Sequence, residues 1–381
     1  MRARTRIALF YAAIFAAPGV TLPFLPVFLA ARGFSPQALG LVMGAAQLAR
    51  LVATPLGGAA ADALGDCRLA AAAFGLGGVA GFAAMLAEEG RGLLVAGVVA
   101  IALASGPLFP LADAMALRVA RREGADFGRI RAAGSLSFLL ATMLSGVTVG
   151  RFGAEAVPLL ALACSAAAFV SALALPNLGL SPARGRGGVL AVLRLRGFLL
   201  LLAVSGLIQG SHALYYAFSA IDWRLAGLSA TLVALLWVEA VAAEILLLTF
   251  GQRIVVRLGT LGLVAAGGAA AVLRWVLMAA TAEPIALALL QPLHGATFAL
   301  TMLGAAQHIA RVVPAERGAT AQALHASLGP GLATVLFTSL SGVLYARLGR
   351  GAYGAMSLAA VLALVLLPPF AACVRRRDTA P

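Results

Sequence analysis

The stretch IALFYAAIFAAPGVTLPFLPVFLAA, residues 7–31, carries no charged side chain and follows Arg2, Arg4 and Arg6. An α-helix rises about 1.5 Å per residue, so about 20 apolar residues cross the hydrocarbon core of a bilayer. The stretch exceeds that length. It also exceeds the apolar core of a cleavable secretory signal, which ends near 15 residues. It reads as a retained first span. Comparable apolar runs over 37–61, 69–88, 91–118, 129–152 and 155–176 complete one set of six. A second set covers 197–222, 229–251, 258–280, 283–309, 317–344 and 350–373. The longest connection, 177–196, lies between the sets. The expectation is an all-α integral membrane protein with twelve transmembrane helices in two six-helix bundles, 1–176 and 197–381, joined by a cytoplasmic linker over 177–196.

Composition supports lipid as the solvent. Apolar residues make up 62% of the chain and charged residues 11%, against about half and a quarter in soluble domains. The formal net charge is +14, and every basic residue is arginine. Most arginines lie in short loops beside apolar runs, which is the pattern of membrane orientation; no nucleic-acid motif accompanies them. With the N-terminus inside, the cytoplasmic segments hold 20 arginines and the outer loops six, leaving Arg50 and Arg274 within spans. That asymmetry places both termini in the cytoplasm of a bacterial-type inner membrane. Cys67, Cys164 and Cys373 form neither a disulfide framework nor a metal-ligand spacing. No nucleophile motif, phosphate loop or metal cluster is present, so neither an enzyme, a metal site nor a cofactor is expected.

Lipid offers backbone groups no partners, so a broken helix belongs where protein or a water-filled cavity covers it. The first span carries Pro18-Gly19, Pro23 and Pro26; the fourth, Gly106-Pro107 and Pro110; the tenth, Pro292 and Gly295. The seventh has Gly206 and Gly210. If each half consists of two inverted three-helix repeats (3+3), these are the leading helices of all four, which line the cavity in such folds. Gly329-Pro330-Gly331 in the eleventh span stands outside this pattern.

Polar residues within the spans give the site expectations. Gln209, His212 and Tyr216 in the seventh span share their spacing with Gln291, His294 and Phe298 in the tenth. Positions i, i+3 and i+7 fall on one helical face. Amide, imidazole and ring together suit a small polar-aromatic solute, though a buried histidine can also simply bond a neighbouring helix. Arg50 and Arg274 each need an anionic or carbonyl partner at membrane depth. Either a substrate carboxylate or an internal ion pair would serve, and Glu239 lies near the depth of Arg274. Glu244 is the leading candidate to load and release a proton, with Glu239 second. Asp113 and Arg131 could form a gate. His308 and His325 are proton-relay members or helix–helix contacts.

The loop Gly58-Ala-Ala-Ala-Asp62-Ala-Leu-Gly65-Asp66-Cys-Arg68 resembles the Gly-x-x-x-Asp-basic-x-Gly-Arg loop of the major facilitator superfamily. Ala63 replaces its basic residue, and the second half has no counterpart to Asp62. The runs PLFPLADA (107–114), FGRIRAAGSLSF (127–138), QGSHALYYAFSAIDW (209–223), LWVEAVAAEI (236–245), LRWVLM (273–278), LQPLHGATF (290–298) and AQALHASL (321–328) resemble the 3-phenylpropionate permease group of that superfamily. The resemblance implies the major facilitator fold and proton-coupled uptake of small organic acids, with relatives that handle sugars or nucleosides. It also makes the positions of Arg50, Asp113, Arg131, His212, Glu244, Arg274 and His294 typical embedded residues. Ala133, Asp222 and Glu239 depart from the group's pattern and bear on the substrate.

The expected function is secondary active transport, namely proton-coupled import of a small organic acid, with an aromatic acid favoured, by alternating access. The expected partners are the solute, protons and lipid, with no nucleic acid and no required oligomer. A proton-coupled drug or metabolite efflux antiporter and a sugar or nucleoside symporter are the alternatives on the same fold. Buried arginines disfavour cationic cargo, since like charges repel strongly at low dielectric.

Overall fold

The computed structural model describes residues 2–87, 90–176, 188–314 and 317–378; among them there is no strand. Arg184 and Arg186 of the expected linker lie outside the described residues. Six helices come first: α1 (Ala3–Ala31), α2 (Pro36–Leu64), α3 (Cys67–Leu86), α4 (Gly90–Glu123), α5 (Phe127–Phe152) and α6 (Ala156–Leu173). The short α7 (Val189–Leu193) precedes the seventh span, built from α8 (Phe198–Gly210) and α9 (Ala213–Leu225). Then follow α10 (Ala230–Phe250) and α11 (Gln252–Ala280). The tenth span joins α12 (Pro284–Leu290), α13 (Leu293–Gly295), a π-helical turn (Ala296–Leu300) and α14 (Thr301–Val312). Next come α15 (Gly318–Ala326), a second π turn (Ser327–Gly331), α16 (Leu332–Leu348), α17 (Ala352–Val365) and α18 (Leu367–Asp378).

Eleven helical segments among the described residues are long and apolar enough to cross a membrane, and the last, Thr320–Cys373, is 54 residues long. Such a length is roughly 80 Å of helix, far more than one bilayer core. It holds two spans, because the chain turns at Gly349 (φ 53°) before a 3₁₀ turn over Gly349–Gly351. The total is twelve.

Polar side chains mark where the helices begin. Ser35 accepts a hydrogen bond from the Ala38 N–H, with Pro36 at the first helical position. Asp66, Asp126 and Glu283 cap α3, α5 and α12 in the same way. Each cap satisfies an N–H that the helix cannot. The helix α4 outruns its expected end at 118, reaching Glu123. The arginines there end the apolar run but favour helix.

The chain divides into two compact units, Met1–Pro182 with Trp223–Leu235, and Ala183–Asp222 with Leu236–Pro381. In the first, α1 packs on α5 and α6, α4 packs on α2 and α3, and α3 packs on α6. Exchanging α1–α3 with α4–α6 leaves this set of contacts unchanged, as an inverted repeat requires. In the second unit α8 packs on the second π turn, α16 and α17, while α11 packs on α14 and α17. The same exchange relates the α8–α17 and α11–α14 contacts and maps α11–α17 onto itself.

Proline interrupts the tenth span as the sequence suggests, at Gln291–Pro292 between α12 and α13, but it does not break the first or fourth span. Both α1 and α4 run unbroken through their prolines, since one lost backbone bond bends a helix without ending it. The seventh span breaks at Ser211–His212, beyond both of its glycines. Gly206 and Gly210 serve close packing instead. A Cβ at Gly206 would lie 3.1 Å from the Gly329 carbonyl oxygen, and one at Gly210 2.6 Å from the Phe337 ring.

Candidate functional site

The second unit gathers the polar residues of the seventh, eighth, ninth and tenth spans. Its two Gln-x-x-His stretches adopt one local geometry. The His212 N–H donates to the Gln209 carbonyl (3.2 Å), and the His294 N–H donates to the Gln291 carbonyl (2.9 Å). These i→i+3 bonds tighten each turn and set Gln and His one above the other. In both, the histidine ring stacks on the aromatic residue four positions on: His212 on Tyr216 (5.9 Å, 25°) and His294 on Phe298 (5.8 Å, 21°). The two imidazoles meet edge-on, 5.3 Å apart.

Arg274 occupies the centre with no exposed surface. It donates from Nη1 to His294 Nδ1 (2.9 Å) and from Nη2 to Gln291 Oε1 (3.1 Å). Its guanidinium also lies over the rings of Tyr215 (4.6 Å) and Trp275 (4.7 Å), which provides cation–π attraction. Its Nε–H is buried and meets no protein acceptor. Among the described residues Arg274 makes no ion pair with Glu239 or any other carboxylate, so the internal pair open to the sequence does not form.

The tautomer of His294 follows from these bonds. Guanidinium can only donate, so Nδ1 accepts and Nε2 carries the ring hydrogen. That Nε2 lies 3.7 Å from Glu244 Oε2. The result is an ordered line from Arg274 through His294 to Glu244. His212 is oriented differently. Its Nδ1 faces the carbonyls of Ile208 (3.2 Å) and Gln209 (3.1 Å), and its Nε2 lies 2.8 Å from Thr297 Oγ1. Gln209 donates from Nε2 to the Phe298 carbonyl (3.2 Å).

Sequence reading missed several participants. Tyr215 donates to Gln291 Oε1 (3.3 Å) and stacks on Trp237 (4.7 Å, 22°). The Trp275 indole N–H donates to Ser211 Oγ (2.8 Å). Aromatic residues in an apolar span leave no periodic trace; adjacency to Arg274 and His212 was the available signal. A further cluster joins Asp222 to Arg350 (2.9 Å) and Tyr345 (3.3 Å).

The other expected residues have contacts of their own. Asp113 accepts from the Tyr11 hydroxyl (2.5 Å) and lies 3.8 Å from Arg131 Nε, so the expected pair is in contact within the first unit. Asp62 is exposed near the end of α2. His325 Nε2 lies 2.8 Å from Ser205 Oγ, and His308 meets Phe370 edge-on at 4.9 Å; both join helices. Arg50 belongs to the first unit.

Twelve spans with this repeat pattern match a known family over nearly the whole chain: residues 4–353 fit the model described as the MFS_1 like family. The chain belongs to that family. It is therefore a secondary transporter of the major facilitator type and not an enzyme. Over 373 residues the transporter is 31% identical to the probable 3-phenylpropionic acid transporter of Escherichia coli (strain K12), covering 95% of this chain and 96% of that one. It is 29% identical to the maltose permease of Geobacillus stearothermophilus, covering 96% and 94%. Among solved structures, a variant of the nucleoside transporter NupG superposes with a TM-score of 0.86 at 16% identity, covering 98% of this chain and 100% of that one.

Proposed function

We propose that this transporter imports a small aromatic organic acid together with protons by alternating access. Arg274 carries the argument: it is a fully buried cation whose hydrogen-bond partners are neutral. Removing a charge from water is costly unless an opposite charge answers it. Glu244 answers it at one remove, through His294. A cargo carboxylate answers it directly, at a guanidinium whose Nε–H is unbonded. Once the cargo supplies the negative charge, Glu244 is free to be neutral. Proton uptake at Glu244 and anion binding at Arg274 then favour one another, which is the thermodynamic content of symport.

The surrounding rings suit the apolar body of an aryl acid. Tyr216, Phe298 and the two histidines offer stacking faces, and Gln209 and Gln291 offer amides. Glu239 is a secondary acid on α10. Asp62, Asp113 and Arg131 act in the conformational change and not in cargo contact. The arginine asymmetry supports cytoplasmic termini in a bacterial inner membrane. The permease relative named for 3-phenylpropionic acid supports the acid reading. A sugar or nucleoside cargo is the second reading, favoured by the maltose permease and the NupG fold match.

Uptake into proteoliposomes under an inward proton gradient tests the proposal. Accumulation of one or more aryl carboxylates is expected. Accumulation of maltose or a nucleoside, with none across the carboxylate panel, would replace it with the second reading.

A further inference from the structure

We infer that the first unit holds a small monovalent anion, a halide or a short carboxylate, in a cavity at Arg50. This partly open pocket lies among α1, α2, α3, α4 and α6, with Thr21, Arg50, Gly78, Ser105 and Ser165 in its wall. Arg50 sits near the middle of α2, at the depth where a lone charge is most expensive. Its Nη2 donates to Ser105 Oγ (3.2 Å), while its Nε–H is buried and meets no protein acceptor. Among the described residues it makes no ion pair. Asp113, the acid on the same helix as Ser105, is engaged by Tyr11 and Arg131.

The close approach of α4 is built in. A Cβ at Gly106 would lie 3.0 Å from the Arg50 carbonyl oxygen and 3.3 Å from its Cγ. Glycine there lets Ser105 reach the guanidinium. Ser165, almost fully buried, brings a second hydroxyl to the cavity wall, and a hydroxyl can donate to an anion.

Size decides the class of occupant. The cavity is about 50 Å³. A water needs roughly 10–15 Å³ on this measure, and a cavity that takes benzene is about 150 Å³. Chloride or formate fits, and an aryl ring does not. The cation asks for an anion, and the volume suits a small one.

The test is thermal unfolding of the purified full-length protein in sodium gluconate, with chloride, formate or 3-phenylpropionate substituted at constant ionic strength. A saturable rise in Tm with chloride or formate is expected. Chloride acting alone identifies a halide site, and a response shared with formate identifies a general small-anion site. The response should weaken by roughly tenfold or more in Arg50→Gln. Should that variant fail to fold, Gly78→Val keeps Arg50 and fills the space beside Ser165, whose Oγ lies 3.7 Å from a Cβ at position 78; the response should fall there too. Bromide-soaked wild-type crystals should show an anomalous peak against the Arg50 guanidinium. No saturable response, or an equal one in Arg50→Gln and Gly78→Val, overturns the inference. So does stabilisation by 3-phenylpropionate that depends on Arg50, which would make the cavity part of the cargo site. The cargo reading is scored separately, by whether that stabilisation depends on Arg274.

Discussion

The turns at Gln209–His212 and Gln291–His294 share spacing, backbone hydrogen bonding and a stacked aromatic ring, yet their histidines have different surroundings. His212 is held by two carbonyls and a threonine hydroxyl. His294 is held by a guanidinium on one nitrogen and faces a carboxylate with the other. Identical local chemistry therefore yields a positioning group in one turn and a link between two charges in the other. The neighbouring helices make the difference, through Arg274 on α11 and Glu244 on α10. A motif repeated in sequence specifies where a side chain stands, and the facing helices decide what it does there.

The largest separation between the two turns should come from Arg274. Replacing Arg274 with Gln removes the charge that His294 receives and that His212 does not contact. Cargo affinity should fall by roughly a hundredfold, as when one member of a buried charged pair is lost, measured by binding to the purified transporter. An unchanged affinity would make Arg274 purely structural. The histidines themselves should differ next. His294→Asn should lower gradient-driven uptake by roughly tenfold, and His212→Asn by roughly threefold, since only the first interrupts a charge-assisted bond. Equal losses would erase the distinction. Ser211→Ala, beside His212, leaves the buried Trp275 N–H without its acceptor. It should cost about 1–3 kcal/mol of stability, read as a lowered Tm with cargo affinity little altered. The smallest effect expected is a partial loss of coupling in Glu239→Gln. A loss as large as that of Glu244→Gln would move the proton site along α10.

Much of this was legible in the sequence. Twelve apolar runs pointed to the fold, because lipid restricts a spanning chain to helices of known length. The paired Gln, His and aromatic faces were also visible, since helical spacing alone puts those residues on one side. The partner of Arg274 was not. Glu239 and Glu244 both lie on α10 within reach of its depth, and only three-dimensional packing shows His294 reaching Glu244. Proline positions pointed to the break at Pro292 but misled in the first and fourth spans. Pro18, Pro23 and Pro26 sit in a continuous α1, whereas the seventh span breaks at Ser211–His212 with no proline at all. A lost backbone bond is a local event, and neighbouring helices decide whether the chain continues through it. The Asp222–Arg350–Tyr345 cluster escaped notice because its members lie far apart in sequence and Arg350 reads as one loop arginine among several.

One comparison in proteoliposomes tests most directly whether Glu244 exchanges the proton that accompanies the cargo. Glu244→Gln is measured in two assays: uphill accumulation driven by a proton gradient, and exchange of labelled for unlabelled aryl carboxylate at equal concentrations. The account predicts that accumulation is lost while exchange continues at close to the wild-type rate. Accumulation that persists in Glu244→Gln would contradict it.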